Sequence, residues 1–484
     1  MLEIPRRWFK RVRAVCRQAG LTRSPPPLTI ESDGDRLTLR VESADVGLAF
    51  HPASSQPPGG VQLPFEVVSA VESARDDLVR LDWSAGRGVA TWTERGVPQR
   101  KTFDAGAPAP AWEPPATTVA VGRELLTAIH EASLTSDDGS HRFALGRIQL
   151  QAAGRVVGTD GRQLYRHGGF AFPWRDDRLV ARTRAFGSSE FAGIETVVLG
   201  AAETHVVLTA GDWTIRLPID ATGRFPRTDE VAPNPARAAG AAVFDRAEAA
   251  FLLDVLPRLP AGSDDDRQEV ALDLNGRVVV SASSADAGRT EVLLPRSSRE
   301  GAEVRLTVDR GYLARTLRLG FERLHHYGPK SLVLADDGRR QFVWAVMEPG
   351  AEVDVPAERI VRLEPPPSSL GGIAATTAPT TSALVAVPAS RRSTGAASPG
   401  NDVASPPLAA SSAPPTAGVN REDAPATVED EPDPIGRAER LRTTLRELLA
   451  EATALLGDLK QRRRRDRSVR ATLASLKQLQ SFDV

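Results

Sequence analysis

The sequence predicts an α+β fold built from three like domains, followed by a disordered linker and a helical C-terminus. One pattern of a hairpin, a short helix and a second hairpin occurs three times between residues 28 and 350. A period of about 120 residues is too long for a stacked solenoid. Hairpins joined by local connections predict antiparallel sheets with a few helices on one face. The first halves of the pattern read LTIESDGDRLTLRVESADVGLAF (28–50), RIQLQAAGRVVGTDGRQLYRH (147–167) and EVALDLNGRVVVSASSADAGRTEVLL (269–294).

Composition excludes several classes of protein. The net charge of −1 over 484 residues excludes a simple polycation, so contact with nucleic acid would need local basic patches. Cys16 is the only cysteine, which excludes an intrachain disulfide and a cysteine-based metal site. The N-terminus lacks the apolar core of a signal peptide, and no apolar run reaches the length of a membrane span. We expect a cytoplasmic protein with no membrane contact.

The first domain opens with an amphipathic helix over residues 5–18. Pro5 suits its first turn. Trp8, Phe9, Val12, Val15 and Cys16 share one side, and basic residues occupy the remainder. Strands around the Asp33–Gly34 turn, a helix at 65–75 and a hairpin of 78–84 with 88–94 follow.

The second and third domains follow the same order. A strand and helix in VAVGRELLTAIHEASL open the second, and turns at Asp138–Gly139 and Asp160–Gly161 precede a hairpin over 205–219. A helix in FDRAEAAFLLDVL opens the third. A hairpin at Asn275–Gly276, a basic-faced helix at 308–324 and a hairpin at Asp337–Gly338 follow.

The C-terminal quarter has a different composition. Pro, Ala, Ser and Thr dominate residues 365–434, so this segment cannot bury enough apolar surface to fold. A heptad seam then predicts a helix over 435–482 that either self-associates or docks on a partner. The seam consists of Leu441, Leu445, Leu448, Ala452, Leu455 and Leu459. Linkers at 107–115 and 232–240 complete the division into 1–112, 116–235, 241–364, 365–434 and 435–482.

Three segments carry a family resemblance. VVGTDGRQLYRH (156–167), GRFPRTDEVAP (223–233) and FVWAVMEP (342–349) resemble motifs of the β subunit of bacterial DNA polymerase III, the sliding clamp. The resemblance covers roughly residues 1–350. It implies two chains closed head-to-tail into a homodimer ring of six domains, with sheets outside and helices lining a hole around duplex DNA. The implied function is a nucleoid-associated processivity factor, not an enzyme, that tethers polymerases and repair proteins after a clamp loader acts.

The resemblance also implies two sites. A ring that slides needs diffuse attraction to phosphates without base readout. The implied DNA-facing residues are Arg6, Arg7, Lys10, Arg11, Arg13, Arg17, Arg310, Arg315, Arg318 and Arg323. The family's partner-peptide pocket lies between the second and third domains. Its implied residues here are Ala144, Thr159, Gly161, Arg162, Gln163, Leu164, Pro233, Val346 and Met347.

Other interpretations remain open. The Thr159–Gly161 segment is equally a plain hairpin turn, and the chain could be a clamp-derived adaptor that no longer encircles DNA and acts through its coiled-coil tail. A hydrolase would need clustered acids and histidines, and the sequence has neither these nor a Gly-rich phosphate loop. We therefore expect no catalytic residue, metal or cofactor. QLQSF (478–482) resembles the Q-L-x-L-F peptides that bind clamps, and we hypothesise that it is a tethered ligand of the chain's own pocket.

Overall fold

The computed structural model describes residues 1–22, 24–137, 144–261, 268–349 and 355–366. Compactness separates residues 1–377 from 378–484, and every described residue belongs to the first of these units. The predicted coiled coil, the QLQSF segment, the Asp138–Gly139 turn and nearly all of the predicted linker lie outside the described residues. The boundaries of the three predicted domains stay predictions.

Antiparallel strands and a few helices make up the described chain, which confirms the α+β class. The helices are α1 Arg6–Gln18, α2 Phe65–Val71, α3 Glu124–Thr135, α4 Arg246–Val255 and α5 Arg310–Arg318. The first eight strands are β1 Leu2–Pro5, β2 Leu28–Ser32, β3 Leu37–Glu42, β4 Gly47–Phe50, β5 Gly59–Leu63, β6 Leu78–Ser84, β7 Arg87–Glu94 and β8 Val97–Asp104. The next eight are β9 Thr118–Gly122, β10 Arg147–Gln151, β11 Arg155–Thr159, β12 Gln163–Gly168, β13 Arg178–Ala181, β14 Thr196–Ala201, β15 His205–Ala210 and β16 Trp213–Pro218.

The remaining strands follow the second predicted linker. They are β17 Gly240–Val243, β18 Glu269–Asp273, β19 Val278–Ser284, β20 Gly288–Leu294, β21 Ser298–Gly301, β22 Arg305–Asp309, β23 Arg323–His326, β24 Leu332–Asp336, β25 Arg340–Ala345 and β26 Ile360–Leu363. Short 3-10 helices occur at Ala185–Gly187, Ser189–Phe191, Thr228–Glu230, Pro235–Arg237, Leu256–Arg258 and Ala357–Arg359.

The repeat is finer than the sequence indicates. The order strand, helix, three-stranded meander occurs six times, beginning at β1, β5, β9, β13, β17 and β22. In the fourth copy, two 3-10 helices at Ala185–Gly187 and Ser189–Phe191 stand in place of the α-helix. We number these copies units 1 to 6. Each of the predicted three repeats therefore corresponds to two units.

Consecutive units exchange their first strands. The meander of each unit is extended by the first strand of its neighbour, as in the sheet β1-β6-β7-β8 and the segment β5-β2-β3-β4. Two antiparallel pairs then join these segments into larger sheets. Strand β4 of unit 1 pairs with β16 of unit 4, and β12 of unit 3 pairs with β25 of unit 6. We call these pairs the first and second junctions.

Helix α1 packs as its sequence pattern predicts. Trp8, Phe9, Val12, Val15 and Cys16 are buried. Burial raises the pKa of the Cys16 thiol to about 12, so this group is a small core residue rather than a nucleophile.

Two predicted helices are shorter than expected. The helix expected over 308–324 ends at Arg318, because Gly320 adopts a φ of 78° and the chain then enters β23. The helix expected over 65–75 ends at Val71. Arg323 consequently lies on a strand and not on a helix.

Candidate nucleic-acid interface and peptide-binding surface

The exposed face of α1 carries part of the predicted basic patch. Arg7, Lys10 and Arg17 are exposed, because helical spacing places them opposite the buried Trp8 and Phe9. Arg7 forms an ion pair of 2.6 Å with Asp76, itself well exposed. Exposed pairs of this kind hold their partners weakly, so all three side chains are available to an anionic ligand.

Arg6 does not face outward, and its prediction as a DNA-facing residue is wrong. Its side chain is buried and donates from Nε to the carbonyl of Val71, the last residue of α2, at 2.7 Å. It also pairs with Glu94 at 2.5 Å. A cation at the C-terminal end of a helix satisfies free carbonyls and complements the helix dipole. Arg6 therefore stabilises the packing of α1 on α2.

The prediction of Arg310 as a DNA-facing residue is wrong for the same reason. It is buried at the start of α5 and donates to the carbonyls of Leu259 at 2.9 Å and Pro260 at 2.6 Å, just after the turn that ends α4. Burial lowers the pKa of its guanidinium, although the nearby Asp309 opposes that shift. This side chain cannot reach a ligand outside the fold.

Two further arginines hold the junctions between units. Arg315 on α5 donates to Glu131 Oε2 on α3 at 3.1 Å and to Gln163 Oε1 on β12 at 3.0 Å. Only 12% of its side chain is exposed, which contradicts a DNA-facing role. Arg11 on α1 makes the corresponding contact at the first junction, where its Nε donates to Glu190 Oε2 at 2.5 Å.

The remaining predicted basic residues differ in exposure. Arg13 on α1 pairs with Glu72, and Arg323 on β23 pairs with Glu300 at 2.5 Å, which raises the pKa of Arg323. Arg318 at the end of α5 is exposed. Four of the predicted basic residues are therefore exposed, namely Arg7, Lys10, Arg17 and Arg318. Among the described residues, the only ion pair that these four form is the exposed pair of Arg7 with Asp76.

The predicted peptide pocket begins with a tight turn between β11 and β12. Asp160 Oδ1 accepts from the backbone N–H groups of Arg162 and Gln163, both at 2.8 Å. Thr159 Oγ1 donates to the Gln163 carbonyl at 2.7 Å. Gly161 has a φ of 86°, which L side chains rarely adopt. The segment is therefore the hairpin turn that the sequence predicts.

An apolar cluster brings the three family-like segments together. Its buried members are Val157, Leu164, Leu334 and Val343, on strands β11, β12, β24 and β25. Side chains of the 223–233 segment cover it. The partly buried residues that pack on it are Phe225, Ala232, Tyr327 and Leu332. We call this set the junction-two cluster.

Polar contacts fix the covering segment. Arg166 donates to Asp229 Oδ1 at 2.6 Å, and Tyr327 donates from its hydroxyl to the Asn234 carbonyl at 3.0 Å. Pro233, between these anchors, is half-buried, whereas Val231 is 50% exposed. The segment therefore presents a partly apolar surface beside the second junction.

The structure adds one residue to this surface and removes one. A Cβ built on Gly161 would lie 3.8 Å from Leu145 Cδ1, so Leu145 is adjacent to the turn. The predicted residue Ala144 donates its backbone N–H to the Arg224 carbonyl. Sequence reasoning missed Leu145 by one position. Val346 packs against the main core instead of the junction-two cluster, and its prediction as a pocket residue is not supported.

Met347 is held by its backbone, not by the cluster. Its N–H donates to the Thr307 carbonyl on β22 at 2.8 Å, and its side chain is half-buried. Arg162 is exposed and Gln163 half-buried beside the turn. The accessible part of the candidate surface thus consists of Gly161, Arg162, Gln163 and Pro233, and the buried Leu145 and Leu164 lie beneath it.

The first junction carries a cavity that sequence reasoning missed. Its volume is about 370 Å³, and the first predicted linker contributes Trp112 to its wall. The indole lies against the guanidinium groups of Arg40 and Arg216, whose carbons are 5.5 and 5.0 Å from the ring centre. Burial lowers the pKa of His51 in the same wall to about 4. Trp112 of the linker therefore covers part of the sheet at the first junction, as the 223–233 segment covers the junction-two cluster at the second.

The described part of the chain has neither a metal-binding cluster nor a membrane-spanning helix. No group of three or more His, Cys, Asp and Glu side chains there could hold a metal ion. No helix in the same part is long and apolar enough to cross a membrane.

Comparison with known proteins identifies the architecture. No protein-family profile and no curated protein matches the chain. Among solved structures, a DnaN sliding clamp from Pseudomonas aeruginosa bound to griselimycin superposes with a TM-score of 0.57 at 19% identity, over 72% of this chain and 98% of that one. The described chain has the sliding-clamp fold.

Other clamp structures agree. A DNA polymerase III β chain from Streptococcus pneumoniae gives a TM-score of 0.59 at 14% identity, over 72% of this chain and 100% of that one. The β sliding clamp of C. crescentus gives 0.58 at 19% identity, over 72% and 99%. The clamp-like architecture expected from the three sequence segments is thereby confirmed at the level of the fold.

Proposed function

We propose that this chain is a divergent sliding clamp, a non-enzymatic processivity factor that encircles duplex DNA as a homodimer ring. The observation that carries the proposal is the set of six strand–helix–meander units in the clamp arrangement. Encircling DNA replaces base readout with a topological link, so the site needs only diffuse attraction to phosphates. Lys10 and Arg17 on α1 and Arg318 on α5 supply exposed cations for that attraction.

Ring closure would reuse the geometry of the two junctions. Each junction pairs the last strands of two units in antiparallel register, β4 with β16 and β12 with β25. The last strands of units 2 and 5, β8 and β20, take part in neither junction. A second copy would pair its β20 with β8 of the first, and two such contacts would close the ring.

The candidate peptide surface would hold the partners of the clamp. Pro233 offers apolar contact above the buried Leu145 and Leu164, and the Gln163 amide offers hydrogen bonds at its edge. An extended segment with two large apolar side chains and a Gln fits this chemistry. We propose replicative and repair polymerases and the clamp loader as the partners, with the protein at the nucleoid.

A second function is a clamp-derived adaptor that does not encircle DNA. The observation that favours it is β26, which occupies the free edge of β20. Several predicted DNA-facing arginines are also committed to contacts within the fold, as Arg6, Arg310 and Arg315 show. An adaptor would keep the fold and bind partners without a closed ring.

Retention on circular DNA tests the two functions. The full-length chain is loaded with the clamp loader of its own cell onto nicked circular DNA, and half of the sample is then linearised. We expect a dimer that stays on circles and runs off linear ends. Equal loss from circular and linear DNA by a monomeric chain would contradict the clamp and leave the adaptor.

A further inference from the structure

The described chain continues past the clamp core and returns to it as a strand. Strand β26, Ile360–Leu363, pairs with β20 in parallel register, with Thr290 opposite Val361 and Glu291 opposite Arg362. It is the outermost strand of the sheet β22-β18-β19-β20-β26. The edge of β20 is therefore covered by the chain's own C-terminal side.

The edge that β26 covers belongs to β20, a last strand that pairs with no other unit. In units 1, 3, 4 and 6 the last strand of the meander pairs with the last strand of another unit, always antiparallel. Unit 5 ends in β20, and its partner is β26, which belongs to no unit and runs parallel. Strand β26 thus occupies the position of a unit's last strand without its polarity.

Few side-chain contacts hold β26. Arg362 Nε forms an ion pair with Glu291 Oε2 at 3.1 Å, and 67% of the Arg362 side chain is exposed. Leu363 packs against the main core, whereas Val361 is 52% exposed. Glu291 is only 15% exposed, but it also pairs with Arg289 at 3.1 Å and so keeps a cation when Arg362 leaves. A four-residue parallel edge strand held in this way can be displaced at low cost.

Unit 5 is nevertheless shaped to receive this segment. Gly288 begins β20 with a φ of 79°, and a Cβ there would lie 2.5 Å from the Arg359 carbonyl oxygen. The Arg359 guanidinium also donates to the Asp286 carbonyl. The close approach of the Arg359 backbone to Gly288 and the hydrogen bond from Arg359 to Asp286 show that unit 5 has a specific binding site for β26.

We propose that β26 is a removable cover on the β20 edge, and that its release exposes this edge to β8 of a second copy of the chain. The proposal rests on the ring of the proposed function and adds its regulation. Among the described residues β8 pairs only with β7, and Val97 at its start is 57% exposed. β8 also carries Arg100 and Lys101, cations that could replace Arg362 beside Glu291.

A reversible crosslink tests the cover in the full-length chain. The pair Thr290→Cys and Val361→Cys, opposite each other in the register, locks β26 in place when oxidised and frees it when reduced. Cys16 is buried and does not compete for the crosslink. A second variant, Leu363→Asp, removes the apolar contact of the strand, and Val361→Asp adds the same charge at its exposed position as the control.

Solution mass and DNA retention give separate readouts. We expect the dissociation constant of the dimer to fall at least tenfold in Leu363→Asp relative to Val361→Asp, and to rise on oxidation of the crosslinked variant and return on reduction. Equal dimerisation by the oxidised and reduced forms would overturn the cover. If release gives a dimer that circular DNA does not retain, the cover stands and the sliding function fails. If the oxidised form is retained on circles, the function stands and the cover fails.

Discussion

Arg6 and Arg310 occupy equivalent positions 304 residues apart, each as the first residue of a helix that binds the C-terminal end of its neighbour. Arg6 donates to the last carbonyl of α2, and Arg310 to the carbonyls of Leu259 and Pro260 beyond α4. The repeat extends further, since Arg11 and Arg315 each stand five residues later and cross a junction. The first and last units of the clamp core therefore share one packing device.

Replacing either buried arginine should destabilise the fold. Arg6→Met and Arg310→Met leave helix-end carbonyls without a partner, and we expect each to lower the free energy of unfolding by about 3 kcal/mol. Urea unfolding of the full-length chain measures this. Arg318→Met, at an exposed position of α5, is the matched control, with an expected change below about 0.5 kcal/mol. Equal effects of Arg310→Met and Arg318→Met would contradict the assignment.

The exposed cations of α1 should contribute to the affinity for DNA and not to the stability of the fold. Lys10→Gln and Arg17→Gln together remove two phosphate contacts, so the slope of log affinity against log salt should fall in magnitude by about 2. Filter binding to a linear duplex of mixed sequence between 50 and 200 mM salt measures this slope. Arg13→Gln, which removes a charge already paired with Glu72, is the control and should leave the slope nearly unchanged. A slope that both variants share with the unaltered chain would refute contact between α1 and DNA.

Local patterns in the sequence predict the elements well. Alternation and turn residues place the hairpins around Asp160–Gly161 and Asn275–Gly276, and helical spacing separates the buried Phe9 from the exposed Lys10. These features depend on residues close in the chain. The sequence predicts three repeats where the structure has six units, because paired units exchange strands and diverge in sequence, and the fourth has no α-helix.

Contacts between distant segments could not be predicted in the same way. Arg6 and Arg7 are adjacent and chemically identical, yet Arg6 is buried because a helix end 65 residues away needs a donor. The pairing of strand β26 could not be predicted either. Its residues IVRL are too short to show a period, and its partner β20 lies about 70 residues earlier. Pairing at such separation depends on the assembled sheet.

The second junction should show energetic coupling between Arg315 and Glu131. We expect Arg315→Met to cost about 3 kcal/mol and Glu131→Gln about 1 kcal/mol, with a coupling of 1–2 kcal/mol in the double variant. Urea unfolding of the four proteins completes the cycle. Arg11→Met with Glu190→Gln tests the corresponding pair at the first junction, where greater exposure predicts a weaker coupling. Strict additivity at the second junction would contradict the role of Arg315.

The candidate peptide surface at the second junction should bind a clamp-type peptide. A fluorescein-labelled Gln-Leu-Ser-Leu-Phe peptide should lose at least fivefold in affinity on Leu145→Ser, since the buried Leu145 packs beside the Gly161 turn on which the apolar side chains of the peptide would rest. Fluorescence anisotropy with the full-length chain gives the dissociation constant. Leu134→Ser, at a 36% exposed position on α3, is the control. If both substitutions weaken the peptide equally, or neither does, Leu145 is not part of a peptide site.

Acidification should weaken the fold through His167 on β12. Its ring is buried, with Nδ1 3.3 Å from the Tyr165 hydroxyl, and burial, together with Arg340 and Arg339, lowers its pKa to about 4. The unfolded chain, with a histidine pKa near 6.5, binds the proton more readily, so stability is present above pH 6.5 and is lost as the pH falls toward 4. Between pH 7 and 5.5 we expect His167 to contribute a loss of about 1 kcal/mol.

The variant His167→Gln separates this contribution from that of His51, whose pKa is also lowered to about 4. Because Gln does not titrate, the variant should lose about 1 kcal/mol less than the unaltered chain over the same pH range, whatever its stability at pH 7. Urea midpoints and slopes at pH 7, 6 and 5.5 give the comparison. Parallel pH profiles for the two proteins would mean that His167 already accepts a proton in the folded state, and that the strand β12 beside the peptide surface admits water.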